Sequence, residues 1–373
     1  MKSKIEHHLI EKTKKLVFIK IDNDLILSNH KLSTLKEVEV PVFAERLVTL
    51  ATDTKGGITT IDVSSAMMYL MGIDSKFIHN DKYLKFLKTV IDSPSSFASS
   101  LAKEAYDKKS IIDSIIYSKA YIANFDIDKS ITYNYALLCY QFGLSKEDEI
   151  IKNDYILESK YYFEQLVSLY DDVPLAYYYL GYIYGIKGDD EKALKSFERI
   201  LNFKVEEKYI LDSKKNIDIL SSKTKLEKAI DLLDEDNLED AQKILYELSL
   251  YDDVPFEVDF YMGYIERLSG NYERAIDLYE NAYKKDNKNP KLMNELGICF
   301  AFIGDLEQSY EILKYAEQLD PGNIDIKCNT CVVLMNMGKL KEAREVINEA
   351  IELAPDDEIV NSCYKQLNHL ESL

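Results

Sequence analysis

The stretch GYIERLSGNYERAIDLY, residues 263–279, is followed 34 residues on by GICFAFIGDLEQSYEIL, residues 297–313, and 34 further by CVVLMNMGKLKEAREVI, residues 331–347. The three share few letters but one spacing. A small residue (Gly263, Gly297, Cys331) precedes a glycine by seven positions (Gly270, Gly304, Gly338). A second small residue follows (Ala275, Ser309, Ala343), then a bulky apolar one four places later (Tyr279, Leu313, Ile347). Ala229, Ala241 and Leu245 carry the pattern back one period; Leu248, Ala282, Ala316 and Ala350 keep it, as do Pro321 and Pro355. Physical chemistry explains the choice of residues. Small side chains on facing helices let the two backbones approach, and the bulky residue fills the space between one helix pair and the next. Glycine at the turn accepts the left-handed conformation in which helices commonly end. Proline cannot continue a helix, so it marks the start of the next.

This 34-residue period resembles the tetratricopeptide repeat. Residues 174–205 fit too, through Tyr177, Leu180, Gly181, Tyr184, Gly188, Ala193 and Phe197. The resemblance implies a mainly α fold, a right-handed superhelix of helix-turn-helix pairs, preceded by a small α+β module. Five units are expected, at 174–205, 222–253, 256–287, 290–321 and 324–355. Two looser pairs are expected at 95–124 and 129–170, within a degenerate region 95–170. A capping helix is expected within residues 356–373, since repeat arrays need a solvated end. The junction LYDDVP at 169–174 returns at 250–255, which supports duplication; its paired aspartates read as helix-start residues. Ala193 and Ala241 lie 48 apart, 14 more than one period. The excess around Val205–Ser222 lacks Gly and Pro and places Ile210, Leu211, Ile217 and Leu220 at helical spacing. It reads as an additional or lengthened helix that bends the array and separates two sub-arrays.

Charge divides the chain. Residues 1–110 carry 17 basic and 14 acidic side chains, whereas residues 111–373 carry 29 and 51, for a formal net charge of −19 overall. An array that acidic repels phosphate backbones, so nucleic-acid binding through the repeats is excluded. No run of about 18 apolar residues exists, which argues against a membrane span, and Met1–Lys15 lacks the apolar core of a signal peptide. The five cysteines (139, 299, 328, 331, 363) are odd in number and fall in expected helices, which fits reduced thiols in a cytoplasm. Richness in Lys, Ile, Asn and Tyr points to an AT-rich bacterial genome.

Residues 1–94 do not show the repeat. Leu16–Ile21 and Leu25–Leu27 across Asp22-Asn23-Asp24 read as a β-hairpin, with Val38–Val42 as a third strand. Short helices are expected over 42–51, 63–71 and 83–91. Lys55-Gly56-Gly57 lacks Walker spacing and reads as a turn. Cys328 and Cys331 form the chain's C-x-x-C, but without a second pair or a nearby His it makes a poor zinc site, and packing explains it. His7, His8, His30, His79 and His369 are scattered. No catalytic, metal or cofactor motif emerges, so the expectation is a non-enzymatic protein with no cofactor.

In tetratricopeptide repeats the first helices line a concave groove that contacts the ligand. Carried over by register, the resemblance implies a partner-binding set of Tyr178, Tyr182, Phe260, Tyr264, Arg267, Asn294, Ile298, Phe302, Val332 and Asn336, with Leu226, Ile230 and Cys328 beside them. Exposed Tyr, Phe and Arg are favoured interface anchors. The expected function is a scaffold that holds a protein or peptide segment, apolar or with a basic flank. A clamp for a C-terminal carboxylate is disfavoured, because Tyr178, Leu226 and Phe260 stand where its lysines belong. The alternative is a ligand- or peptide-sensing regulator acting through the N-terminal module. Self-association through the repeats or a strand edge is compatible with either.

Overall fold

The computed structural model describes residues 5–22, 30–52, 57–251 and 254–373, and is mainly helical. It divides into two compact units, Met1–Asp218 and Ile219–Leu373.

The first unit opens with a short helix α1 (Glu6–Leu9), whose N-cap Ile5 and last residue Leu9 are fully buried, and a 3-10 turn over Ile10–Lys15. This apolar anchoring is invisible in a segment that reads as charged. Strand β1 (Leu16–Lys20) pairs antiparallel with β2 (Glu39–Phe43), Leu16 opposite Phe43 and Lys20 opposite Glu39. The described partner of β1 is therefore the strand expected at 38–42; the hairpin arm expected at 25–27 lies outside the described residues. Helices α2 (Ala44–Thr52), α3 (Thr60–Ile73) and α4 (Asn80–Val90) follow. Thr59 and Asp62 close a reciprocal capping box at the start of α3. From Val63 to Ile73 this helix is buried nearly all round, since it packs against both β2 and α6.

Two antiparallel pairs come next, α5 (Pro94–Asp107) with α6 (Ile111–Asn124), and α7 (Lys129–Leu144) with α8 (Glu149–Leu169). Ser93 caps α5 with Pro94 in its first turn, and Asp128 and Asp148 cap α7 and α8. Regular pairing begins with α9 (Pro174–Ile186) and α10 (Asp190–Ile200). From residue 207 the segment at 205–222 belongs to a single 28-residue helix, α11 (Glu207–Asp234).

In the second unit, the end of α11 faces α12 (Leu238–Ser249). Three more pairs are α13 (Phe256–Leu268) with α14 (Tyr272–Lys285), α15 (Pro290–Phe302) with α16 (Leu306–Leu319), and α17 (Ile324–Asn336) with α18 (Leu340–Leu353). Helix α19 (Glu358–Glu371) buries Val360, Cys363 and Leu367 against the last pair. Turn residues Gly188, Gly270, Gly304 and Gly338 have φ between +73° and +87°, and Asp236 takes the same turn position at φ 59°.

Small and large residues interlock within each pair. A Cβ on Gly181 would lie 2.7 Å from the Phe197 ring, one on Gly263 2.7 Å from Tyr279, and one on Gly297 2.6 Å from Leu313. Each large partner is therefore seated directly on a glycine of the first helix. Gly263→Ala should cost about 1–3 kcal/mol, because the fully buried Tyr279 ring must move aside. Chemical denaturation followed by circular dichroism measures this; unchanged stability would show that the ring relocates freely.

Candidate functional site

Residues of successive first helices in the second unit line one cleft of about 340 Å³. Ile230, Leu233 and Asp234 of α11 form one wall. Phe260, Tyr261 and Tyr264 of α13 form the floor, Lys291, Asn294 and Glu295 of α15 the next side, and Asn323, Asp325 and Ile326 the far end at α17. Phe260 is held by stacking on Phe256 (centroids 5.6 Å apart) and by the tilted Tyr279 ring at 5.9 Å. Asn294 accepts a hydrogen bond from Asn329 at 2.8 Å, which ties α15 to α17 along the cleft.

Arg267 is committed within the protein. Its guanidinium lies 2.5 Å from Glu295 and over the Tyr264 ring at 5.0 Å. Burial works against its charge, but Glu295 more than offsets this. Tyr279 also donates to Glu295, at 3.3 Å. Glu295 thus joins Arg267 and Tyr279 at the side of the cleft.

Among the residues expected to bind a partner, Phe260, Tyr264 and Asn294 line this cleft, together with Ile230. Ile298 and Val332 are half-buried, and Asn336 is exposed. Phe302 is 62% exposed at the end of α15 and stacks flat on Tyr272, at 4.5 Å, away from the floor. Leu226 packs into the core of the α11–α12 pair, and Cys328 is buried in the core under α19. Tyr178 and Tyr182 belong to the first unit and turn onto their own chain. Both hydroxyls donate to Asp212 of α11, Tyr178 at 2.8 Å, and Asn216 donates to the Tyr182 hydroxyl at 3.1 Å. Burial, then Tyr182 and Asp212, raises the Tyr178 phenol above its ordinary value, and burial, then Asp212, raises that of Tyr182.

Leu233, Asp234, Tyr261, Lys291, Glu295, Asn323, Asp325 and Ile326 were not read from the sequence as cleft residues. A signal existed, since Lys291 and Asp325 are themselves 34 apart. It is hidden because charged residues vary in sign at a position where the apolar ones do not.

The first unit holds a separate polar concavity lined by Lys15, Tyr69, Ser110, Asp113 and Tyr117. Asp113 accepts from Lys15 at 2.7 Å, Tyr69 at 2.5 Å and Ser110 at 2.7 Å. Burial alone would raise its carboxyl, but these donors hold it below the usual range. Burial and then Asp113 push the Tyr69 phenol up. With Lys15, Tyr69 and Ser110 all donating to one carboxylate, the cluster fastens the 3-10 turn, α3 and the start of α6 together rather than poising a proton for transfer. All five cysteines are free and buried, and burial pushes Cys299 and Cys331 up to about 12. Such protonated thiols suit packing. No helix among the described residues is long and apolar enough to cross a membrane.

Comparison with known proteins agrees with the repeat geometry. Tetratricopeptide-repeat family models match residues 175–204, 226–290, 267–314 and 304–367. A curated relative, BBSome complex member BBS4 of Xenopus tropicalis, is 28% identical over 91 residues; the match spans 24% of this chain and 17% of that protein's length. Among solved structures, MamA AMB-1 is 19% identical with a TM-score of 0.35, covering 41% of this chain and 86% of that one. The first TPR of Spaghetti (RPAP3), bound to the HSP90 peptide SRMEEVD, is 18% identical with a TM-score of 0.30, covering 32% and 94%. The period, the glycine-seated helix pairs and the four matched stretches together identify residues 175–204 and 226–367 of this chain as tetratricopeptide repeats.

Proposed function

We propose that the chain is an interaction scaffold that holds a segment of another protein in the cleft of its second unit. One observation carries this: four consecutive first helices converge on a floor of Phe260, Tyr261 and Tyr264 whose edge bears Asp234, Glu295 and Asp325 against one lysine, Lys291. Aromatic side chains anchor binding through large, rigid contact area. With Glu295 neutralised by Arg267, the exposed charge left at the edge belongs mainly to Asp234 and Asp325. The occupant best suited is a segment that inserts an apolar side chain against Phe260 and Tyr264 and carries Lys or Arg beside it.

The test uses the full chain as bait in a lysate of its host. Phe260→Ala/Tyr264→Ala should weaken capture of the specific partner at least about tenfold, the effect of losing a hot-spot anchor. Phe302→Ala, off the floor, should leave capture intact, and raising salt should weaken it through the basic flank. An unchanged partner set with the double variant would overturn the reading.

A further inference from the structure

The first unit brings together three metal-ligating side chains that come from opposite ends of its sequence. His7 and His8 of α1 and Asp154 of α8 place one ligand atom each within 4.8 Å of one another. His8 Nε2 lies 3.1 Å from Asp154 Oδ2, and His7 Nε2 lies 3.7 Å from the same oxygen. A tetrahedral Zn²⁺ with bonds of about 2.0–2.1 Å separates its ligand atoms by about 3.3 Å, so the two spacings to Asp154 lie within a few tenths of an ångström of an edge of its coordination shell. A hydrogen bond between His8 and Asp154 accounts for only one of the two rings. His7 is 62% exposed, yet it bends back so that the imidazole centroids lie 3.6 Å apart, and it reaches the carboxylate from beyond hydrogen-bond range.

We propose that His7, His8 and Asp154 form a Zn²⁺ site that clasps the N-terminal helix α1 onto α8. Two imidazoles and one carboxylate suit a borderline ion such as Zn²⁺ better than Mg²⁺ or Ca²⁺, which take oxygen ligands. Water fills the fourth position, since His7 lies open to solvent. His8 and Asp154 are 16% and 14% exposed, and His8 stacks on the fully buried Tyr155 at 6.0 Å. That contact presents the ring in a fixed orientation, as a preorganised ligand requires.

The experiment titrates the full chain, freed of metal by a chelator, with Zn²⁺ against a metallochromic indicator. Wild type should bind one equivalent more than His7→Ala/His8→Ala. Asp154→Asn keeps the size and can still accept the His8 hydrogen bond, so a purely structural tether survives it. A ligand lost should cost more than the roughly 10–100-fold seen for outer-shell partners, so affinity should fall at least about 100-fold. Hydrogen exchange supplies a second readout: Zn²⁺ should slow exchange in residues 5–9 and 149–169 of wild type, and leave Asp154→Asn unchanged. Equal stoichiometry and affinity in all three proteins, or exchange that Zn²⁺ does not alter in wild type, overturns the site.

Discussion

Gly72→Ala should destabilise the first unit by about 3 kcal/mol or more, the upper end of what overpacking a core costs. A Cβ at this position of α3 would lie 2.0 Å from the carbonyl oxygen of Ile116 and 2.8 Å from its carbonyl carbon, on α6. These are backbone atoms and cannot rotate aside. At Gly263 and Gly297 the obstacle is a side chain, Tyr279 or Leu313, which has other rotamers. Relief at Gly72 therefore demands that two helices separate, and with them the buried Met67, Met68, Met71, Ile115 and Ile116. The contrast is Gly185→Ala in α9, where nothing lies within 4 Å; there the gain in helix propensity should stabilise by about 0.5–1 kcal/mol. Because the chain has no tryptophan, circular dichroism during urea unfolding is the natural measurement. Comparable stabilities for the two variants would refute the close crossing of α3 and α6.

Lys119→Met should be at least as damaging, by about 3–5 kcal/mol, because it strands a buried carboxylate. Lys119 Nζ donates to Glu6 Oε1 at 2.8 Å and to the Gly72 carbonyl at 3.2 Å, and the two ionic side chains are only 3% and 9% exposed. Glu6 also accepts from Ser75 at 2.7 Å. Burial on its own would raise the Glu6 carboxyl, but Lys119 and Ser75 bring it below the ordinary 4.5. The sign of the pH effect follows. A depressed carboxyl contributes stability that is fully present above its unfolded-state value and disappears as pH falls through the folded one. Wild type should thus lose this contribution on acidification below about 4.5. In Lys119→Met the unpaired Glu6 gains from taking up a proton, so that variant should become relatively more stable as pH drops from neutrality. Glu6→Gln/Lys119→Met removes both charges and should recover much of the loss. Parallel melting-temperature profiles for wild type and Lys119→Met would show that the pair is not the controlling group.

Both predictions concern residues whose importance is unreadable along the chain, in contrast with the repeats. Gly263, Gly297 and Cys331, with Tyr279, Leu313 and Ile347 sixteen residues on, declare the helix pairs by spacing alone. Two of these contacts are the ones the structure shows, Gly263 under Tyr279 and Gly297 under Leu313. The cleft was half legible. Phe260, Tyr264 and Asn294 line it as the register implied, while Arg267 is spent on Glu295, and Tyr178 and Tyr182 are spent on Asp212. A register places a side chain on a face of a helix; it does not say whether a neighbour's charge will claim it.

The sequence by itself determined the repeat period, the turn glycines and the face of each first helix, because every repeat unit packs only against its immediate neighbours and so writes its contacts at short, constant separations. Tertiary structure alone decided the pairing of Glu6 with Lys119, 113 residues apart, the crossing of Gly72 over Ile116, and the meeting of His7 and His8 with Asp154. Before residue 174 no strict period relates one element to the next. Partners there are chosen by which buried surfaces and charges close on one another in three dimensions, and that choice leaves no regular trace in the order of residues.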